Sequence, residues 1–153
     1  MVRRLHPSSH GREGLDWYNP RPGHVEDLMA SMPAPGKARL HRWDEIELEK
    51  VTEMVSRKFV AGSRQMIAQF YLKKGALVPL HAHESEQMTY VLQGALKLLV
   101  DGEEVVVREG EVLIVPGFIE HQAEALDDTF VLDIFSPVRH DWLDRDEVGT
   151  ERD

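Results

Sequence analysis

Two histidines one residue apart, His81 and His83, followed by Gln87 and bracketed by Gly75 and Gly94, constrain this chain more than any other feature. Side chains alternate between faces along an extended strand, so residues 81, 83 and 87 share a parity and can point the same way. Imidazoles at i and i+2 on one face form a clamp for a transition metal, and Gln87 adds a carbonyl oxygen beside them. A fourth ligand must come from elsewhere. His121 is the candidate, at the end of the run Gly110-Glu-Val-Leu-Ile-Val-Pro116-Gly-Phe-Ile-Glu-His121, a strand leading into a Pro-Gly turn. Glu84 and Glu86 have the opposite parity to His83 and Gln87 and read as outward-facing, an assignment that a bulge between residues 83 and 87 would reverse. His41 and His140 stand alone and read as ordinary polar residues.

The bulk numbers narrow the function classes. At 153 residues the chain fits one domain with a sizeable core plus an appendage. Lys and Arg total 18 against 27 Asp and Glu, a formal charge of −9 with no basic run, which argues against nucleic acid as a partner. No apolar run approaches the ~20 residues of a membrane span, and the start lacks the hydrophobic segment of a secretory signal. Cysteine is absent, which excludes disulfides and thiolate metal sites and fits a cytoplasmic location.

Composition changes near residue 36. Prolines 7, 20, 22, 33 and 35, five of the chain's eight, fall before it, so residues 1–36 read as an arm that cannot sustain a long helix or a central strand. A short helix over residues 24–31 is weakly indicated. Trp17, Tyr18, Leu28 and Met29 suit an arm that packs on a partner subunit, the alternative being a disordered arm. Residues 37–143 have the texture of an all-β domain, with apolar runs separated by glycine turns. Strands are expected at 38–43, 51–60, 65–73, 77–81, 87–93, 95–100, 104–108, 112–115, 119–125 and 129–135, with Asp101-Gly102 as a hairpin turn. Such spacing argues for a barrel or sandwich of jelly-roll type. Residues 144–153 read as a charged tail, after one helical turn beginning at Asp141.

Asp133 lies between Leu132 and Ile134 in a strand with apolar residues on both faces, where a carboxylate is expensive to bury unless it is paired or hydrogen-bonded. Two reasons would keep it there. One is a role as acid, base or substrate anchor in a pocket. The other is an ion pair with Arg139, Arg57 or Arg64. Alternation puts Asp133 with Val131 and Phe135 on the barrel interior, and Leu132 and Ile134 on a face expected to pack against the hydrophobic core.

The two motif segments resemble those of the cupin superfamily. The first reads glycine, five residues, His-x-His, three residues, a ligand, six residues, glycine; the second reads glycine, five residues, proline and, five further on, histidine. The first fits at every position, with Gln87 where many cupins carry glutamate. The second departs once, with Phe118 where glycine is common. The resemblance implies an RmlC-like cupin jelly roll, a double-stranded β-helix, over residues 50–143. It implies His81, His83, Gln87 and His121 as ligands of one divalent transition metal ion. The run Asp133-Ile-Phe135-Ser-Pro-Val-Arg139, with Val55-Ser-Arg-Lys and His-x-His-x-x-x-Gln, further resembles a narrower group of small cupins. That group includes the bacterial cupin that opens the ring of unsaturated uronates in pectin and alginate breakdown. In it the matching Asp and Arg belong to the active site, which implies catalytic roles for Asp133 and Arg139. Cupin barrels commonly pair through a sheet face, so a homodimer is expected.

Three imidazoles and an amide are neutral ligands, so a divalent ion among them keeps its full charge and favours anionic oxygen donors. The donor set suits Mn, Fe, Co, Ni, Cu or Zn over Mg or Ca. Three functions fit: a Lewis-acid enzyme on a small anionic hydroxy- or keto-acid derived from a sugar; a dioxygenase-type enzyme using Fe or Cu; and a non-catalytic metal- or small-molecule-binding module.

Overall fold

The computed structural model describes residues 36–143, and all its strands lie in one compact unit that begins at His41. The expected helix over residues 24–31, the charged tail and all but the last residue of the expected arm fall outside the described residues. Two antiparallel sheets face each other. The larger one orders its strands β1 (Glu49–Lys50), β2 (Val55–Ala61), β3 (Met66–Leu72), β10 (Thr129–Ser136), β5 (Glu86–Gln93) and β8 (Val112–Val115). The smaller orders β4 (Leu77–His81), β9 (His121–Ala125), β6 (Ala95–Val100) and β7 (Glu103–Arg108). This is the cupin jelly roll expected from the sequence. No helix among the described residues is long and apolar enough to cross a membrane.

Alternation builds the interior. Val55, Ala68, Leu72, Val91 and Val131 from the larger sheet meet Leu96, Leu98, Val107 and Ala125 from the smaller, all buried. Nine buried residues, including most of these, make the main apolar cluster. A second cluster, Met66, Ala68, Phe135, Val138 and Trp142, is formed where residues 138–142 fold back after β10, and residues 140–143 make a helical turn. Between the clusters lies a polar row, and that row carries the site.

Turn chemistry fixes the crossings. Gly94 joins β5 in one sheet to β6 in the other with φ +86; a Cβ there would meet the Asp128 carbonyl at 2.5 Å, so no other residue fits. Asp101 and Gly102 both take positive φ, 49° and 79°, in the β6–β7 hairpin. Gly117 lies against the His83–Ser85 connection, where a Cβ would sit 2.4 Å from the Glu84 carbonyl. Phe118, at the position where the cupin motif has glycine, adopts φ +65, so the backbone keeps the turn that glycine would give. Its N–H bonds the His83 carbonyl at 2.7 Å, which pins the two motifs together, and its ring is exposed.

Three expectations need correction. Residues 38–43 form no strand: nothing from 36 to 45 is buried, so that run has no inner face to repay pairing, and only a 3-10 turn at Trp43–Glu45 appears. The single strand face for His81, His83 and Gln87 is also not realised. β4 ends at His81, His83 lies in the connection, and Gln87 is on β5 in the other sheet. The alternation itself survives this break, with residues 82, 84 and 86 exposed and 85 and 87 buried. Finally, Leu132 and Ile134 do not pack on a core. They lie on the outer face of the larger sheet, in register with Tyr90, Ile67 and Met88, and Ile134 is 40% exposed.

A non-glycine residue at positive φ costs about 1 kcal/mol. Phe118→Gly should therefore raise unfolding free energy by up to about 1 kcal/mol in denaturant titration, while leaving the fold unchanged.

Candidate metal centre and its cavity

The four ligand candidates converge. His81 and His121 are cross-strand neighbours on β4 and β9, and His83 hangs over them from the connection. The ligating nitrogens of the three histidines lie within 4.8 Å of one another. Each ring is held by its Nδ1. The acceptors are the Pro79 carbonyl for His81 at 2.7 Å, the Ser85 carbonyl for His83 at 2.9 Å and the Ile119 carbonyl for His121 at 2.8 Å. A carbonyl only accepts, so each Nδ1 carries the proton and each Nε2 offers a lone pair. That tautomer is the one a metal requires of Nε2 ligands.

Gln87 completes the set from the opposite sheet. Its amide nitrogen donates to Thr89 Oγ1 at 2.9 Å, which turns Oε1 toward His83 Nε2 at 3.1 Å. Two lone pairs then face each other. His83 is neutral at ordinary pH, because burial first, then Arg139 and His121, lower its pKa to about 4. It has one proton, and the Ser85 carbonyl takes it. A cation between the two acceptors would resolve the conflict, since an imidazole nitrogen and an amide oxygen can both offer lone pairs to one ion. Burial lowers the pKa of His121 too, and its Nε2 is a buried atom with no hydrogen-bond partner. The residues present fit a divalent transition ion.

The cavity beside these groups holds about 410 Å³, and both Asp133 and Arg139 line it with His81, Gln87 and His121. Asp133 is buried on the interior face of β10 with Val131 and Phe135, as alternation predicts. Burial pushes its carboxyl up to about 7, against the opposing pull of the Thr89 hydroxyl and Arg139. Its Oδ1 has no partner. The ion-pair reading of Asp133 fails, since Arg139 is gripped by Asp141 at 2.9 and 2.7 Å and Arg57 by Glu49 at 2.7 and 3.2 Å. Arg64 makes no salt bridge among the described residues.

Sequence reasoning missed the supports. Thr89 was visible in principle, as a polar residue sharing the parity of Gln87 on a strand with a buried face. Ser85, whose Oγ donates to the Pro137 carbonyl at 2.6 Å, and Trp142 act through long-range contacts that spacing does not reveal.

Several known proteins are similar to this chain. Residues 68–135 match the family described as Cupin domain. The pectin degradation protein KdgF of Dickeya dadantii is 29% identical over 103 residues, a span of 65% of this chain and 94% of that protein. A solved structure of KdgF from a Halomonas species superposes with a TM-score of 0.64 at 29% identity, covering 69% of this chain and 99% of that one. An RmlC-like cupin from Shewanella frigidimarina gives a TM-score of 0.64 at 27% identity, over 69% of this chain and 96% of its own. The jelly roll, the paired histidine motifs and the domain match make the chain similar to the cupins over residues 68–135.

Proposed function

We propose that this protein is a metal-dependent enzyme acting on a small anionic hydroxy- or keto-acid derived from a sugar, with uronate ring opening or isomerisation as the reaction. The observation that carries the reading is the placement of Asp133 and Arg139 in the same cavity as the histidine cluster. The KdgF relatives, one named as a pectin degradation protein, point to the same substrate class.

His81, His83, His121 and Gln87 would hold the ion through neutral donors, so the site would keep a positive charge toward an acid. When bound, the ion supplies Lewis acidity toward a carboxylate and its adjacent oxygen. Arg139 holds the acid group: its Nε and one terminal nitrogen are engaged by Asp141, which leaves the other terminal nitrogen to donate. Asp133 accepts and returns the proton. Burial lifts it to about 7, a range where both forms are populated near neutral pH. The apolar walls from Val131, Phe135 and Leu98 limit water around the reacting atoms.

Two copies pair, in this reading, through the outer face of the larger sheet. Ile67, Met88, Tyr90, Val112, Ile114 and Ile134 are all 38–56% exposed there and lie in adjacent register across β3, β10, β5 and β8. A lysine at Ile114 or Tyr90 should shift the protein from dimer to monomer in sedimentation. A wild-type protein that is already monomeric at high concentration would exclude the pairing.

His83→Ala should remove most bound metal by elemental analysis, because the remnant competes poorly with water. Stoichiometric metal in that variant would end the ligand assignment. Asp133→Asn should keep metal and fold but lower turnover of unsaturated uronates by ~10²-fold or more. Its effect on stability also has a sign. A carboxyl raised from 3.8 to about 7 on folding favours the folded state at low pH, and that contribution is lost as pH rises through about 7. In chelator-treated protein, Asp133→Asn should therefore raise the melting temperature relative to wild type at pH 8, with the gain fading toward pH 5. A loss of stability at pH 8 with unchanged specific activity would return Asp133 to a structural role.

A further inference from the structure

Arg57 is a second buried guanidinium in the cavity. It sits on β2 between Val55 and Phe59 on the inner face, its side chain only 6% exposed. Glu49, its cross-strand partner on β1, binds Nε and one terminal nitrogen and is itself 48% exposed. The guanidinium lies 4.0 Å from the centroid of the Trp142 ring, and that of Arg139 lies 4.8 Å from the same ring. One indole thus spaces two cations within the length of a small ligand. Each arginine has one terminal nitrogen with no acceptor among the described residues, and both residues line the cavity.

Stability does not account for Arg57. A buried ion pair gains little over an apolar side chain of similar volume, and Val55 and Phe59 show that this inner row accepts one. The two arginines also address different parts of the cavity. Arg57 is in register with Phe70 on β3, which faces Val131 on β10, whereas Gln87 faces Phe135 four residues further along β10, the end that Arg139 follows. Arg139 is the arginine of the reacting end, and Arg57 belongs to the end away from it.

We infer that Arg57 is a specificity-determining residue: its free terminal nitrogen binds oxygens at the far end of the substrate, so the cavity selects a sugar-length acid over a two-carbon one. This rests on the sugar-acid reading of the cavity. Arg57 touches no reacting atom, and its effect is on binding of the long acid alone.

The test is calorimetric binding of galacturonate and of glycolate to Zn²⁺-loaded wild type, Arg57→Gln and Glu49→Gln. Glycolate keeps the acid and adjacent oxygen but lacks the remaining carbons. Glu49→Gln breaks the same β1–β2 ion pair as Arg57→Gln while leaving the guanidinium in place. The inference expects Arg57→Gln to weaken galacturonate roughly tenfold or more, with glycolate and both Glu49→Gln affinities within about twofold of wild type. Equal weakening of both acids in Arg57→Gln, or the same loss in Glu49→Gln, would make Arg57 a strut between β1 and Trp142 and overturn the inference. Galacturonate binding that is unchanged in Arg57→Gln would overturn it too, with the sugar-acid reading intact. Wild type that binds glycolate but not galacturonate would sink the sugar-acid reading itself, and the inference with it. Should Arg57→Gln fail to fold, Arg57→Lys keeps the charge without the fork. It should show the same selective loss, and its absence in a folded Lys variant counts against the inference.

Discussion

Three hydrogen bonds from imidazole Nδ1 to main-chain carbonyls organise this molecule. Each acceptor lies two residues from its histidine, before it for His81 and His121 and after it for His83. Such a bond fixes ring orientation and tautomer together, so the backbone path alone decides where three Nε2 lone pairs point. That path is in turn held by contacts of the connections. The Phe118 N–H bonds the His83 carbonyl, and the Ser85 hydroxyl bonds the Pro137 carbonyl. His81 and His121 belong to one sheet and Gln87 to the other. An ion held by these residues would tie the sheets together and so would couple metal binding to the closure of the barrel.

Spacing made the fold legible because a jelly roll repeats one rule, alternation between turns, and glycine marks the turns. Where the chain obeys that rule the strands fall within a few residues of expectation, as from β3 to β10. It fails at residues 38–43, where alternating letters have nothing to bury against, and burial partners are not written in a local stretch. His81, His83 and Gln87 converge although no single strand carries them, since a short connection preserved the alternation across the gap between sheets. Leu132 and Ile134 show the opposite error. Alternation says that they share a face, but whether that face meets a core or the outside depends on what the other strands do. The supports of the site, Ser85 and Trp142, were hidden for the same reason.

Charge in the cavity follows a pattern that single residues do not disclose. The ligands are neutral. The cations Arg57 and Arg139 are buried, and their carboxylate partners Glu49 and Asp141 lie toward solvent, with side chains 48% and 57% exposed. Each pair therefore presents its positive partner inward and its negative partner outward. Arg139 holds the Asp141 carboxyl below its usual range through their hydrogen bonds, so that pair stays ionised well into acid. The inward field favours an anion, and the planar guanidinium fork suits a carboxylate.

Asp133 is the exception within that field, and its position is the strongest argument for chemistry over architecture. An apolar residue there would join Val131 and Phe135 along the interior of β10 and extend the two clusters into one. The fold instead places a carboxyl with one orphaned oxygen, and lines up Thr89 opposite it and Gln87 behind Thr89. The amide of Gln87 donates to the threonine oxygen, which leaves the threonine hydrogen for the carboxylate. Thr89 thus lies between a ligand candidate and a proton-accepting candidate. A purely structural carboxylate would have taken one of the two arginines that line the same cavity. Both are held by other partners, and Asp133 lines the cavity with one buried oxygen left unpaired.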